Sequence, residues 1–214
     1  MVGGSFALRE YTLDIGRPMH DLDLFCKAGD YPKTLIIFNK EGYKTSIPDE
    51  RWLAKIEKGN NFIDLIFSSP NYINPVDDSW LSYAKEATLF GIDTKMIAPE
   101  ELIWCKAYIQ ERIHFDGADI NHLILRKGDK LDWKRLLMRM ENHWDLLLSI
   151  LINFRFVYPS ERGLVPKWLM NELISRLKSQ LQNPIPKDKI CRGPLLSRTQ
   201  YEVDTTKNGF KVIS

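Results

Sequence analysis

The sequence predicts an α+β protein, with a domain on a small mixed β-sheet followed by an all-helical domain. Three observations lead there. Short apolar or alternating segments bounded by Gly, Pro, Asn or Asp are confined to the part before residue 98. Helical spacing is nearly continuous from Pro99 onward. The composition, 214 residues with 44% hydrophobic and 27% charged, is that of ordinary globular chains. The expected division is 1–97 and 98–182, with 183–214 as an extended C-terminal tail.

In the first domain, residues 19–25, 62–67, 87–90 and 92–97 read as strands. Gly91 supplies a turn, so 85–90 and 92–97 are expected to form a hairpin. Residues 32–40 and 50–57 carry apolar side chains at three- and four-residue intervals, and each ends near a glycine, Gly42 and Gly59. Both are expected as helices covering the sheet. Phe6 to Glu10 favour a further helix directly after Gly3-Gly4-Ser5.

In the second domain Pro99 opens a helix, with Glu100 and Glu101 at the positive end of its macrodipole, and the apolar pattern runs on to Ile113. Residues 117–125, 132–140, 143–156 and 166–181 follow as helices. Asp132 is a good N-cap, Pro166 opens the last helix, and Pro184-Ile185-Pro186 ends it. The remaining stretch is polar, is broken by Gly193-Pro194 and Lys207-Asn208-Gly209, and is assigned no fold.

Thirty Lys and Arg against 28 Asp and Glu leave a net charge of +2, which supplies no general field for nucleic acid or an anionic membrane. Any anionic ligand must be held locally. Apolar runs such as 146–152 are far shorter than the roughly 20 residues needed to cross a bilayer. No secretory signal pattern opens the chain, and a cytoplasmic location is expected. Cys26, Cys105 and Cys191 are odd in number and far apart, which argues against a disulfide framework or a zinc cluster.

The chemistry concentrates in Gly3-Gly4-Ser5, His20-Asp21-Leu22-Asp23-Leu24-Phe25 and Phe62-Ile63-Asp64-Leu65-Ile66-Phe67. Residues two apart on a strand share a face, so Asp21 and Asp23 project together while Leu22 and Leu24 enter the core. Adjacent carboxylates repel, and a hard divalent cation, Mg²⁺ or Mn²⁺, is their natural partner. Asp64 lies in a second apolar strand with no obvious polar companion; beside the first strand it would complete a three-acid site. Gly3-Gly4-Ser5 before a helix offers free backbone N–H groups and a hydroxyl to phosphate. In this order the parts suit phosphoryl transfer assisted by metal ions.

Gly3-Gly4-Ser5, Asp21-Leu22-Asp23 and Asp64 resemble the signature of the DNA polymerase beta-like nucleotidyltransferase superfamily, and more narrowly its small prokaryotic members. Pro99-Glu100-Glu101-Leu102-Ile103-Trp104-Cys105-Lys106 followed by Arg112, Asp116 and Asp119 is similar to the helical-region pattern of the same group. The resemblance covers about residues 1–180. It implies that Asp21, Asp23 and Asp64 are catalytic and bind two divalent ions, Mg²⁺ or Mn²⁺. Asp64 would complete the site of the catalytic ion and help to lower the pKa of the acceptor hydroxyl. It implies that Gly3, Gly4 and Ser5 hold the outgoing phosphates, with Lys106 and Arg9 as further nucleotide contacts. The reaction implied is transfer of a nucleoside monophosphate from a nucleoside triphosphate to a hydroxyl of a protein, a tRNA or a small molecule. A toxin with an antitoxin-like partner is one version, and a non-catalytic binding or regulatory protein of the same fold is the alternative.

His114, Asp116, Asp119 and His122 tempt a metal reading, but an acid beside Gly117 at a helix start serves the helix dipole, and Asp119 can pair with Arg112 or orient Lys106. His20 is expected to pack or hydrogen bond on the opposite strand face. The six tryptophans are spread over separate segments, as core residues are, and Lys127, Lys130, Lys134, Arg135 and Arg139 alternate with acids as on a solvated face.

Overall fold

The structure, a computed structural model, describes residues 1–14, 16–19 and 21–213. The expected role of His20 lies outside the described residues. The chain divides into two compact units, Met1–Leu102 and Ile103–Ser214, with the boundary inside one helix.

The first unit contains α1 (Gly4–Thr12), β1 (Leu22–Phe25), α2 (Tyr31–Lys40), β2 (Lys44–Asp49), β3 (Leu53–Lys58), β4 (Asn61–Ile66), α3 (Asp78–Tyr83), β5 (Lys85–Leu89) and β6 (Ile92–Met96). Four strands form one sheet in the order β1-β4-β3-β2; β1 and β4 are parallel and the other pairs antiparallel, so the sheet is mixed. β5 and β6 form the expected hairpin. Residues 1–3 run between β1 and β6: Val2 N–H donates to Lys95 O, Ile97 N–H to Val2 O, and Phe25 N–H to Met1 O.

Alternation along the strands sends Leu24, Ile63, Leu65, Ala54 and Ile56 to one face, where Leu35 and Phe38 of α2 cover them. Tyr31 stacks on Phe67 with ring centroids 4.3 Å apart. Each such buried side chain contributes about 1.5–3 kcal/mol, enough to fix strand register, because a one-residue slip would send the apolar set to the wrong face.

Residues 50–57, expected as a helix, instead turn and form β3. Trp52 and Ile56 are four apart, a spacing shared by a helical face and a strand face. Lys58 pairs with Asn61 across the two-residue loop Gly59-Asn60, and this hairpin chemistry decides the outcome. β2 and α3 were not anticipated. α3 is one short turn and a half, capped by Asp77, whose carboxylate accepts from Ser79 N and Trp80 N.

α4 (Pro99–Lys106) stops well before Ile113. Beyond it the chain reverses: Glu111 N–H donates to His114 O at 2.7 Å and Asp116 N–H to Ile109 O at 3.0 Å. The second unit continues with α5 (Gly117–Lys127), α6 (Trp133–Arg139), α7 (Trp144–Val157) and α8 (Lys167–Gln182), close to the predicted spans. Asp132 caps α6 by accepting from Arg135 N. Leu123, Ile124, Leu136, Leu147, Leu151, Phe154, Leu169 and Leu173 are fully buried and form the helical core.

Residues 183–214, expected as an extended tail, carry elements of their own: β7 (Ile190–Cys191), α9 (Arg198–Thr206) and β8 (Lys211–Val212), with β7 and β8 paired in parallel. Ser197 is buried and caps α9 by accepting from Gln200 N, and Leu195 is buried beside it. Gly193-Pro194 and Asn208-Gly209, taken for breakers of order, are the connections between these elements.

Candidate active site

Strand register assembles the site. Asp23 on β1 stands opposite Asp64 on β4, Asp64 opposite Lys55 on β3, and Lys55 opposite Ser46 on β2. Directly paired residues project to the same face. The four therefore form one row across the sheet, on the face away from the apolar cluster around Ile56 and Leu65. Asp21 lies just ahead of β1, two residues from Asp23.

One carboxylate oxygen each from Asp21, Asp23 and Asp64 lie within 4.8 Å of one another. All three residues are partly buried. Among the described residues this is the one cluster of three His, Cys, Asp or Glu side chains arranged to hold a metal ion. The donors are all hard carboxylate oxygens, and three acidic side chains are gathered at one point, with the Lys55 ammonium on Asp64. That set fits Mg²⁺ or Mn²⁺ and does not resemble a zinc site of nitrogen and sulfur ligands.

The glycines let α1 start against this row. Gly3 N–H donates to Asp23 O at 2.9 Å. A Cβ on Gly3 would meet the Phe25 ring at 2.3 Å, and one on Gly4 would meet Asp23 Oδ2 at 1.6 Å. Gly3 caps α1 without a side-chain bond, so the positive end of that helix falls beside the Asp23 carboxylate. Gly-Gly thus has a packing reason in addition to its suitability for phosphate. Ser5 follows in the first turn, and Arg9 is exposed one turn further along.

Lys55 was missed by the sequence reading. Its Nζ lies 2.5 Å from Asp64 Oδ1 and 4.6 Å from the centroid of the Phe62 ring. The signal that would have found it is the alternation of Ala54 and Ile56 with Lys55 and Glu57 ahead of Gly59-Asn60, which places Lys55 and Asp64 on one face of a hairpin.

In the second unit, Lys106 at the end of α4 is buried and donates to Asp116 Oδ2 at 2.7 Å and Asp119 Oδ2 at 2.8 Å. The reversal after α4 brings these two acids back onto the lysine. Asp116 and Asp119 therefore serve an ion pair, and the orienting partner expected for Lys106 is found. His143 and Tyr108, also buried, meet through His143 Nδ1 and the tyrosine hydroxyl at 2.6 Å. Burial pushes the Tyr108 phenol up and holds the His143 imidazole below the usual histidine range.

No protein-family model matches the chain, and no curated protein matches it. Similarity to chains of solved structures is found, and two of these are as follows. The lincosamide antibiotic adenylyltransferase LnuA, in a lincomycin-bound crystal structure, is 16% identical, with 57% of this chain and 83% of that one covered and a TM-score of 0.40. The antibiotic-resistance factor ANT(2'')-Ia, in a solution structure, is 14% identical, with 85% and 84% covered and a TM-score of 0.43. At this level of likeness no residue role transfers from either protein.

Proposed function

We propose that the chain is a metal-dependent nucleotidyltransferase that moves a nucleoside monophosphate from a nucleoside triphosphate to a hydroxyl. The observation that carries this reading is the convergence of the Asp21, Asp23 and Asp64 oxygens within 4.8 Å, beside a helix start built on Gly3-Gly4-Ser5. Three carboxylates so close repel one another, and a divalent cation among them would relieve that repulsion.

Asp21, Asp23 and Asp64 would hold the divalent cation, which when bound supplies charge neutralisation to the triphosphate and to the attacking oxygen. Gly4 and Ser5 would bind the β- and γ-phosphates through their N–H groups and the Ser5 hydroxyl, with Gly3, whose N–H is held by Asp23 O, shaping the turn. Arg9, on the exposed side of α1, is placed to add a charge-assisted contact. Lys106 keeps a nucleotide role only by sharing an ammonium already bonded to Asp116 and Asp119. Asp64 is the carboxylate that accepts a hydrogen bond from the acceptor hydroxyl. The hydroxyl oxygen forms a bond to the α-phosphorus, the bond from that phosphorus to the bridging oxygen breaks, pyrophosphate leaves, and the hydroxyl proton is lost to base. Positioning and charge supply most of the rate.

The test is incubation of the purified chain with α-³²P-labelled nucleoside triphosphates, Mg²⁺ and a cell lysate. Label is expected to pass to a protein, RNA or small molecule, and which fraction is labelled identifies the acceptor class. Asp21→Asn should reduce transfer by about a hundredfold or more. Absence of transfer, together with absence of metal-dependent nucleotide binding by calorimetry, would support the non-catalytic alternative instead.

A further inference from the structure

Lys55 belongs to the acidic site yet has no part in the reaction just described. Its place in the sheet gives it one. The row runs Asp23, Asp64, Lys55 and Ser46, and the α1 start stands at the Asp23 end, where a Cβ on Gly4 would meet Asp23 Oδ2. Neighbouring strands are about 4.8 Å apart, so Lys55 lies two strands from Asp23, on the far side of Asp64 from α1. In phosphoryl transfer the attacking and leaving oxygens stand in line on opposite sides of the phosphorus. With pyrophosphate leaving toward Gly4 and Ser5, the acceptor enters from the other end of the row, over Asp64, Lys55 and Ser46.

The side chain at that end is a cation held in place. Lys55 and Asp64 are paired residues of an antiparallel ladder, so their side chains leave the sheet together. The ammonium lies 2.5 Å from Asp64 Oδ1 and 4.6 Å from the centroid of the Phe62 ring. An ammonium has three N–H donors, and a carboxylate has two oxygens with about four acceptor sites. Lys55 thus keeps donors for a ligand, and Asp64 keeps acceptor sites for the metal ion and the acceptor hydroxyl. The Lys55 side chain is 30% exposed, open enough to touch a ligand and sheltered from full solvent screening. Lys44 and Glu57, the next pair along these strands on the same face, lie 3.5 Å apart and offset each other's charge. The net charge of +2 supplies no general attraction for an anion, so the local ammonium decides which acceptors this end of the row favours.

Taking the reading under Proposed function as its basis, we propose that Lys55 selects the acceptor, a hydroxyl with a phosphate ester a few bonds away. Its ammonium donates to that phosphate while the hydroxyl meets Asp64. The terminal ribose of an RNA strand and a free sugar phosphate share this chemistry. A cationic acceptor such as an amino sugar is repelled by the same ammonium, and an uncharged one gains no ionic contact from it. Lys55 is thus a specificity-determining residue of the acceptor side.

The test supplies the purified full chain with Mg²⁺, α-³²P-labelled nucleoside triphosphates and, in separate reactions, cellular RNA with free 3′ hydroxyls, ribose 5-phosphate, kanamycin and an uncharged serine peptide. Label is expected on the RNA or on ribose 5-phosphate, and these two arms separate a strand end from a free sugar phosphate. Lys55→Met is expected to raise the KM for the labelled acceptor about tenfold relative to the KM for the nucleoside triphosphate, and Lys55→Arg to change that ratio little. Without turnover, calorimetry should find the same acceptor bound about tenfold more weakly by Lys55→Met than by the wild type, each loaded with Mg²⁺ and a non-hydrolysable nucleoside triphosphate. Preferential transfer to kanamycin or the peptide would overturn the inference and leave the nucleotidyltransferase reading intact. Equal changes in the two KM values would do the same, because a purely structural lysine moves both. Neither transfer to nor binding of a phosphate-bearing acceptor also overturns it, and the further absence of metal-dependent nucleotide binding overturns both readings. Should thermal melting show that Lys55→Met does not fold, the order of acceptors for the wild type decides.

Discussion

The Oδ2 atom of Asp23 lies 1.6 Å from the point where a side chain on Gly4 would begin. Gly4 also has φ +53°, a left-handed conformation that other residues adopt at a cost. Gly4→Ala should therefore cost about 1 kcal/mol, or roughly 2–4 °C in melting temperature. It should also push the Asp23 carboxylate out of the cluster and lower nucleotidyl transfer about a hundredfold. Gly42→Ala is the control. Gly42 has φ +80° and nothing within 4 Å of an added Cβ, so the substitution should cost similar stability and leave transfer unchanged.

The buried Lys106 ammonium serves two carboxylates, and removing it leaves both charges without their cation. Lys106→Met should destabilise the chain by about 3–5 kcal/mol, a fall of roughly 6–20 °C in thermal melting followed by circular dichroism. Adding Asp116→Asn and Asp119→Asn to the same variant should recover part of the loss. If Lys106→Met melts as the wild type does, the pair is not the anchor of the turn after α4.

His143 gives a pH dependence with a definite sign. Burial first, and then the positive Arg192, hold its imidazole below the usual value, with Asp145 opposing. The unfolded chain takes up the proton at about pH 6.5, before the folded chain does. The stability from neutral His143 is complete above that pH and is lost as pH falls through the folded value. Tyr108, 2.6 Å from Nδ1, stays protonated throughout because burial raises its phenol. Melting temperatures between pH 7.5 and 5 should fall more steeply for the wild type than for His143→Gln, by no more than about 1.4 kcal/mol per pH unit. Equal slopes would remove His143 from the acid response.

Cys26 should be an inert thiol. Burial pushes it up to about 11, with the chain's amino terminus opposing and Asp30 adding to the rise. At pH 8 only about one molecule in a thousand then carries the reactive thiolate. Alkylation with iodoacetamide, followed by peptide mass spectrometry, should label Cys26 roughly a hundredfold more slowly in the native chain than in urea. Comparable rates in the two conditions would show the thiol to be accessible and unshifted.

Much of this was legible in the residues. Asp21 and Asp23 flank Leu22 on an apolar strand, and Asp64 interrupts another, so their common placement followed from a two-residue repeat and the cost of an unpartnered acid. Lys55 was hidden because Trp52, Leu53 and Ile56 satisfy a helical spacing as well as a strand one. Only the tight Gly59-Asn60 loop separates the two readings, and it acts through pairing with a strand further along the chain. The order within residues 183–214 was obscured for a related reason. Its elements are short, and their stability comes from contacts such as the buried Leu195 and Ser197 rather than from periodicity. The ion pair of Lys106 depends on a chain reversal that no local spacing announces.

The most direct measurement is anomalous diffraction from a crystal of the chain soaked in Mn²⁺ and a non-hydrolysable nucleoside triphosphate. A manganese peak at about 2.0–2.3 Å from carboxylate oxygens of Asp21, Asp23 and Asp64 is expected, with the triphosphate against the Gly3-Gly4-Ser5 turn. Density for nucleotide and metal elsewhere on the molecule, or no manganese among the three acids at saturating concentration, would contradict the account.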